Sequence, residues 1–186
     1  GEQQVPPRSH RGHHQQSRLR TCAHPSIESR SSFTLPPVGI YAGFGSNLDP
    51  ARMAARAPHS PVMGPGWLIG WRLTFGGEDL SWEGALPTVV EDPLGQVFVM
   101  LYALTDEDEA NLDTAEGFDL GLYRKLRVRV ATLDGDTTAW LYVVDGYEDG
   151  LPKYEHLQAI IQAAIIAGAP EDYIDDLRNR AYREGD

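Results

Sequence analysis

Residues 40–53 read IYAGFGSNLDPARM, and this stretch decides the fold. It begins as an apolar strand, passes through Gly43 and Gly45, and continues into a helix. Asp49 followed by Pro50 is typical of a helix start, because the Asp side chain can accept a bond from an unpaired N–H group and Pro suits the first helical position. Such a turn exposes backbone N–H groups without bulky side chains, which favours a pocket for a carboxylate or an oxyanion. A strand, glycine turn and helix is also a common structural device, so a purely structural role stays open.

A second stretch, residues 112–130, reads LDTAEGFDLGLYRKLRVRV and places a carboxylate beside a predicted helix end. Gly117 is expected to stop the helix, which leaves Glu116 in its last turn. The ordinary interpretation is a solvated surface carboxylate. However, a carboxylate gains nothing from the negative end of a helix dipole, so its position there costs a little unless another role compensates.

The rest of the chain from residue 37 alternates short β-like runs with helical segments. Strands are predicted over 38–44, 67–75, 88–91, 96–103, 123–132 and 137–144, which are rich in Val, Leu, Tyr, Phe and Trp and are bounded by Gly, Pro or Asp. Helices are predicted over 50–56, 105–115 and 157–168, with another starting near Pro170. The Asp-Gly-Asp sequence at 134–136 indicates a hairpin. The predicted fold class is α+β, with a mixed, mostly antiparallel β-barrel-like sheet and flanking helices.

The chain is expected to hold one folded domain, residues 37–186, preceded by a tail of residues 1–36. The tail has five Arg and two Glu, although the whole chain has a formal charge of -11. Its Gln, Ser, His, Arg and Pro content cannot bury enough apolar surface to offset the entropy of ordering it. We therefore predict a disordered or loosely docked N-terminal tail.

Composition excludes several classes of protein. Hydrophobic residues make up 41% and charged residues 23%, a balance typical of a soluble globular protein. The strong negative charge argues against nucleic acid as a partner, since binding to phosphate backbones depends on Lys and Arg. No apolar stretch is long enough for a bilayer span, so no membrane partner is expected. A single cysteine, Cys22, excludes an internal disulfide and a thiolate metal cluster, which suits a reducing, cytoplasmic location.

Together the two stretches resemble the gamma-glutamylcyclotransferase family. The resemblance rests on FGSNL at 44–48, EG at 116–117, GLYRK at 121–125 and the strand that holds Tyr142, and it covers roughly residues 38–179. It implies a compact α+β fold with a mixed barrel and a catalytic glutamate at Glu116. The implied substrate-binding residues are Gly43, Phe44, Gly45, Ser46, Asn47 and Leu48 of the loop, with Tyr123, Tyr142 and Tyr154. Relatives usually have Tyr where this chain has Phe44, so a hydrogen bond from that hydroxyl is missing.

The function that this resemblance implies is the conversion of a gamma-glutamyl amino acid, amine or peptide to 5-oxoproline and the free amine, as in glutathione metabolism. The substrate's α-amine would attack its own γ-carbonyl, with Glu116 moving the protons. The reaction requires no metal and no cofactor. A relative that removes a gamma-glutamyl protecting group in small-molecule biosynthesis, and a non-catalytic small-ligand-binding protein on the same fold, stay open as alternatives. The leaving group and a homodimeric state are not determined by the sequence.

Overall fold

The computed structural model describes Gly1 and residues 39–77, 84–144, 146 and 148–184. The chain divides into two units, Gly1–Thr34 and Leu35–Asp186. The predicted tail, apart from Gly1, and Cys22 lie outside the described residues.

In the part of the chain that the structure describes, five strands form a closed barrel in the order β1-β3-β2-β4-β5. The strands are β1 (Gly39–Gly43), β2 (Val62–Gly76), β3 (Leu86–Leu104), β4 (Tyr123–Thr132) and β5 (Gly135–Val144). Neighbouring strands are antiparallel except for the parallel pair of β1 and β5, which closes the barrel. The α-helices are α1 (Pro50–Arg56), α2 (Asp106–Glu116), α3 (Tyr154–Ile166) and α4 (Glu171–Arg178). The predicted α+β class, with a mixed and mostly antiparallel barrel-like sheet, is confirmed.

The strands predicted separately at 88–91 and 96–103 are wrong in one respect, because the structure has a single strand, β3. The residues between them, Asp92 to Gly95, fell outside both predicted strands. They form an irregularity in the ladder instead, since Ile69 pairs with Gln96 while Trp71 pairs with Glu91. Such bulges tolerate Pro and Gly inside a strand.

The β4–β5 hairpin confirms the predicted alternation and builds one wall of the site described below. Val128 and Val130 are buried, whereas Arg127 and Arg129 are exposed. A two-residue connection joins Thr132 to Gly135, so the turn begins earlier than the Asp-Gly-Asp sequence suggested. Lys125 pairs with Tyr142 in the same ladder, and both side chains contact α2 on the other face of the hairpin.

The first and last residues of α2 match the signals predicted for them. Thr105 caps the helix through its hydroxyl, which accepts a bond from the Asp108 N–H at 3.2 Å. Gly117 ends it in a left-handed conformation with φ of 72°, which glycine adopts without a steric penalty. Glu116 is therefore the last residue of the helix.

Helix α3 lies against the loop that follows β1, and it contributes fully buried side chains such as Leu157 and Ile160 to the core. Gly45 and Ile160 are close enough that a Cβ on Gly45 would lie 4.0 Å from the Ile160 side chain. Packing against α3 thus holds the loop in place. Among the described residues, none of the helices has the length and apolar character needed to span a bilayer.

Candidate active site

The loop of residues 43–48 runs from the end of β1 into a short 3₁₀ turn, Gly45–Leu48. Asn47 N–H donates to the Phe44 carbonyl at 3.2 Å, and the Tyr102 hydroxyl donates to the Asn47 carbonyl at 3.1 Å. A Cβ on Gly43 would lie 2.7 Å from the Asn47 carbonyl oxygen, so only glycine fits there. These contacts fix the backbone of Asn47 and thereby aim its side chain.

Asn47 is a buried residue, 6% exposed, and its side chain connects three elements. Its Nδ2 donates to the Tyr41 hydroxyl at 2.9 Å and to Glu116 Oε1 at 3.0 Å. Its Oδ1 accepts a bond from Arg56 Nη1 at 3.1 Å. An amide has two donor hydrogens and an acceptor oxygen, so this arrangement uses all of its groups. The loop and the end of α2, residues far apart in sequence, thus meet at this side chain.

The Glu116 carboxylate lies across from the loop and is only 17% exposed. Besides Asn47, it contacts Arg56 Nη1 at 2.5 Å. Arg56 is the last residue of α1 and its side chain is 23% exposed. A carboxylate held by a charged and a neutral donor, and partly shielded from water, is suited to take and return a proton if a ligand reaches its remaining oxygen.

Aromatic rings form the wall beside this carboxylate. Tyr142 is their centre, with ring centroids 5.7 Å from Tyr41, 5.2 Å from Trp140, 6.3 Å from Phe118 and 6.0 Å from Tyr123. The Tyr142 hydroxyl donates to Asp113 Oδ1, one turn before Glu116 on α2. This bond connects β5 to the helix that carries the glutamate.

Lys125 reinforces the same contact. Its Nζ lies 2.8 Å from Asp113 Oδ2 and 2.6 Å from Glu109 Oε1, and 4.7 Å from the centre of the Trp140 ring. Partial burial disfavours the charged amine, but the bonds that it donates to Asp113 and Glu109 outweigh this effect and raise the pKa of Lys125. The lysine therefore stays charged and holds α2 against the hairpin.

Three buried tyrosines, Tyr41, Tyr102 and Tyr142, remain protonated. Burial raises the pKa of Tyr41 well above its ordinary value, and the neighbouring Glu116 charge raises it further. Burial and the bond to Asp113 likewise raise the pKa of Tyr142, and burial raises that of Tyr102. These phenols are neutral hydrogen-bonding groups across the physiological range.

The predicted site residues fall into two groups. Residues 43–48, Glu116, Tyr123 and Tyr142 are brought to one region. Tyr154 begins α3, is 44% exposed, and packs on Tyr182 with ring centroids 5.0 Å apart. It has no described contact with Glu116, Asn47 or Arg56. The substrate-binding role of each residue stays a prediction.

Sequence reasoning missed Arg56, Tyr41, Asp113 and Lys125. Asp113 could have been found, because a residue three before Glu116 lies on the same face of a helix. Arg56 was interpreted only as a helix end. Nothing in its sequence position shows that α1 carries its side chain back to Asn47.

Comparison with known proteins agrees with this fold. Residues 96–177 match the AIG2-like family. Gamma-glutamylcyclotransferase of Homo sapiens is 27% identical over 144 residues, which cover 75% of this chain and 77% of the human protein. The Mus musculus protein of the same name is 26% identical over 144 residues, with the same coverage.

Solved structures give the same result. One named gamma-glutamyl cyclotransferase superposes with a TM-score of 0.71 at 25% identity and covers 78% of this chain and 89% of its own. The uncharacterized protein loc79017 from Homo sapiens gives a TM-score of 0.72 at 25% identity, covering 80% and 90%. YkqA from Bacillus subtilis, at 18% identity and a TM-score of 0.68 over 80% of this chain and 57% of its own, shares the fold. In its sequence and in its barrel alike, the chain is similar to proteins named gamma-glutamylcyclotransferase.

Proposed function

We propose that the chain is a cyclotransferase that converts a gamma-glutamyl amino acid, amine or peptide to 5-oxoproline and the free amine. The observation that carries this proposal is the Glu116 carboxylate, shielded from water and held by Asn47 Nδ2 at 3.0 Å and Arg56 Nη1. The similarity to proteins named gamma-glutamylcyclotransferase supports the same activity.

In the proposed reaction the substrate's α-amine attacks its own γ-carbonyl and closes a five-membered lactam. The C–N bond to the leaving amine breaks, and the carbonyl is restored. The attacking nitrogen loses two protons in all. Glu116 takes one from the α-ammonium and delivers it to the departing nitrogen, and the second passes through the same carboxylate to the released amine, which leaves as an ammonium, so Glu116 ends the reaction as it began. The folded substrate must be held with amine and carbonyl in contact, which the loop and the aromatic wall would do.

The test compares Glu116→Gln with wild type in 5-oxoproline release, measured by mass spectrometry. The substrate panel contains gamma-glutamyl amino acids, gamma-glutamyl amines and glutathione, so that it also reports the leaving group. We expect a loss of at least ~100-fold, because general acid/base catalysis contributes typically ~100- to 10,000-fold. Glutamine keeps the size of the side chain and can still bond to its neighbours, and circular dichroism checks the fold.

Glu107→Gln is the matched control. It makes the same substitution in the same helix, at an exposed position, and we expect wild-type turnover from it. Undiminished 5-oxoproline release by Glu116→Gln would overturn the assignment of the acid/base residue. Silence of the wild-type chain across the whole panel would favour the binding protein.

A further inference from the structure

The guanidinium of Arg56 has more donors than the described residues use. Both of its described bonds, to Glu116 Oε1 and to Asn47 Oδ1, come from Nη1. A guanidinium has five N–H donors in a planar fork that matches a carboxylate. Nη2 and Nε donate to no described residue, and the side chain is 23% exposed. Arg56 can therefore bind a second anion through these remaining donors.

The positive charge of Arg56 also affects how a substrate amine can reach Glu116 in the proposed reaction. A substrate ammonium that approaches Glu116 meets a cation already in contact with that carboxylate. The substrate ammonium and the Arg56 guanidinium are both positive and would repel each other, especially where water is partly excluded. An amine alone is thus poorly suited to this site. A substrate that carries a carboxylate beside its amine is well suited. Its carboxylate can pair with Arg56 while its ammonium pairs with Glu116.

The other cation near the aromatic wall cannot take this role. Lys125 is committed to Glu109 and Asp113 at 2.6 and 2.8 Å. Among the described residues, Arg56 is the cation that contacts Glu116 directly.

We propose that Arg56 binds the α-carboxylate of the substrate, so that Glu116 and Arg56 together recognise the zwitterionic head of a glutamyl group. This inference rests on the proposed function and specifies the substrate class of the same site. It requires an α-carboxylate beside the attacking amine. A 4-aminobutanoyl amide, which closes the same five-membered ring but lacks that carboxylate, is then a poor substrate.

The experiment compares two substrates with one leaving group, gamma-glutamyl-alaninamide and 4-aminobutanoyl-alaninamide. They differ only in the α-carboxylate, and the leaving group has none of its own. For each, kcat/KM is measured from lactam formation, with the spontaneous rate subtracted. We expect wild type to prefer the gamma-glutamyl compound by roughly 10- to 100-fold, the range of a hydrogen bond to a charged group.

Arg56→Met should reduce this preference to within about threefold, because kcat/KM of the gamma-glutamyl compound falls by a larger factor than that of the 4-aminobutanoyl compound. Arg56→Lys should restore part of the preference, because it keeps the charge without the fork. Arg129→Met, which removes one positive charge from a side chain that is 80% exposed, should match wild type.

Equal losses for both substrates in Arg56→Met would overturn the inference, because Arg56 would then only hold Glu116 and Asn47 in place. A preference for gamma-glutamyl-alanine over its alaninamide that depends on Arg56 would also overturn it, since the arginine would then bind the leaving group. If wild type releases no 5-oxoproline at all, the proposed function fails. Calorimetric affinities of the same two compounds, for wild type and Arg56→Met, then decide the role of Arg56 independently.

Discussion

Asp108 carries a fully buried carboxylate in the first turn of α2. It accepts bonds from the His59 N–H at 2.7 Å and the Ser60 hydroxyl at 2.6 Å, and its other oxygen lies 3.3 Å from His59 Nδ1. Burial acts to raise the pKa of Asp108, but these bonds outweigh it and the net pKa is lowered. One ionised side chain thus ties the segment after α1 to α2, the two helices that supply Arg56 and Glu116.

The lowered pKa of Asp108 predicts how the folding stability of the chain depends on pH. A carboxyl group whose pKa is lower in the folded chain than in the unfolded one contributes stability above the unfolded pKa, and that contribution is lost as pH falls through the folded pKa. We therefore expect Asp108→Asn to destabilise the chain at neutral pH and to flatten the acid side of its stability curve, measured by urea unfolding from pH 7 down to the acid limit. Ser60→Ala keeps the carboxylate and removes one donor, so its stability and its acid slope should lie between those of wild type and Asp108→Asn. An Asn variant with the wild-type acid slope would contradict this role.

At the scale of elements, the end of α2 positions the candidate acid/base group. Gly117 and Gly121 both have positive φ, 72° and 73°, and they bracket a short turn, Phe118–Leu120. A Cβ at Gly117 would lie 3.1 Å from the Leu122 side chain, whereas nothing lies within 4 Å of one at Gly121. Both glycines thus adopt a left-handed backbone conformation, but only Gly117 has a neighbouring side chain close to where a Cβ would be.

Alanine at either position should therefore cost about 1–2 kcal/mol of folding free energy, the penalty of a left-handed conformation with a Cβ. Only Gly117→Ala should also lower 5-oxoproline release, because relief of its strain and crowding moves the adjacent Glu116. Turnover is measured below the unfolding transition, so that the folded fraction is equal. An equal loss of turnover in Gly121→Ala would show that the whole turn, rather than the position of Glu116, controls activity.

At the scale of the molecule, the closed barrel makes residues distant in sequence into neighbours. Tyr173 of α4 packs on Trp67 of β2 and Phe98 of β3, with ring centroids 5.8 and 6.1 Å away. Arg180, beyond α4, donates to the Leu73 carbonyl at 2.7 Å. Helix α4 and the residue after its cap thus pack against the barrel.

The first 34 residues are expected to behave differently. Their sequence has little apolar periodicity. We predict that a shortened chain beginning at Leu35 keeps the thermal midpoint and the 5-oxoproline release of the full chain. A fall in midpoint of more than ~4 °C, equivalent to about 1 kcal/mol for a domain of this size, would show that the segment stabilises the domain.

Local signals in the sequence predicted most of the elements. Asp49 and Thr105 cap the helices that they were expected to cap, and Gly117 ends α2. Alternation in β4 identified its buried face. The prediction failed at residues 92–95, because Pro and Gly in a bulge look the same in sequence as Pro and Gly in a loop. A bulge differs from a loop only in the partner strand, which local sequence does not contain.

The sequence by itself determined the capped helices, the alternating strands and the position of Glu116 at a helix end, because these depend on interactions between residues a few positions apart. Only the tertiary structure decided what Glu116 contacts. Asn47 lies 69 residues from it and Arg56 lies 60 residues from it along the chain, and their meeting depends on the closed barrel and the direction in which α1 leaves the loop. The charge of Arg56 beside that carboxylate, on which the proposed substrate class rests, is a property of the folded chain alone.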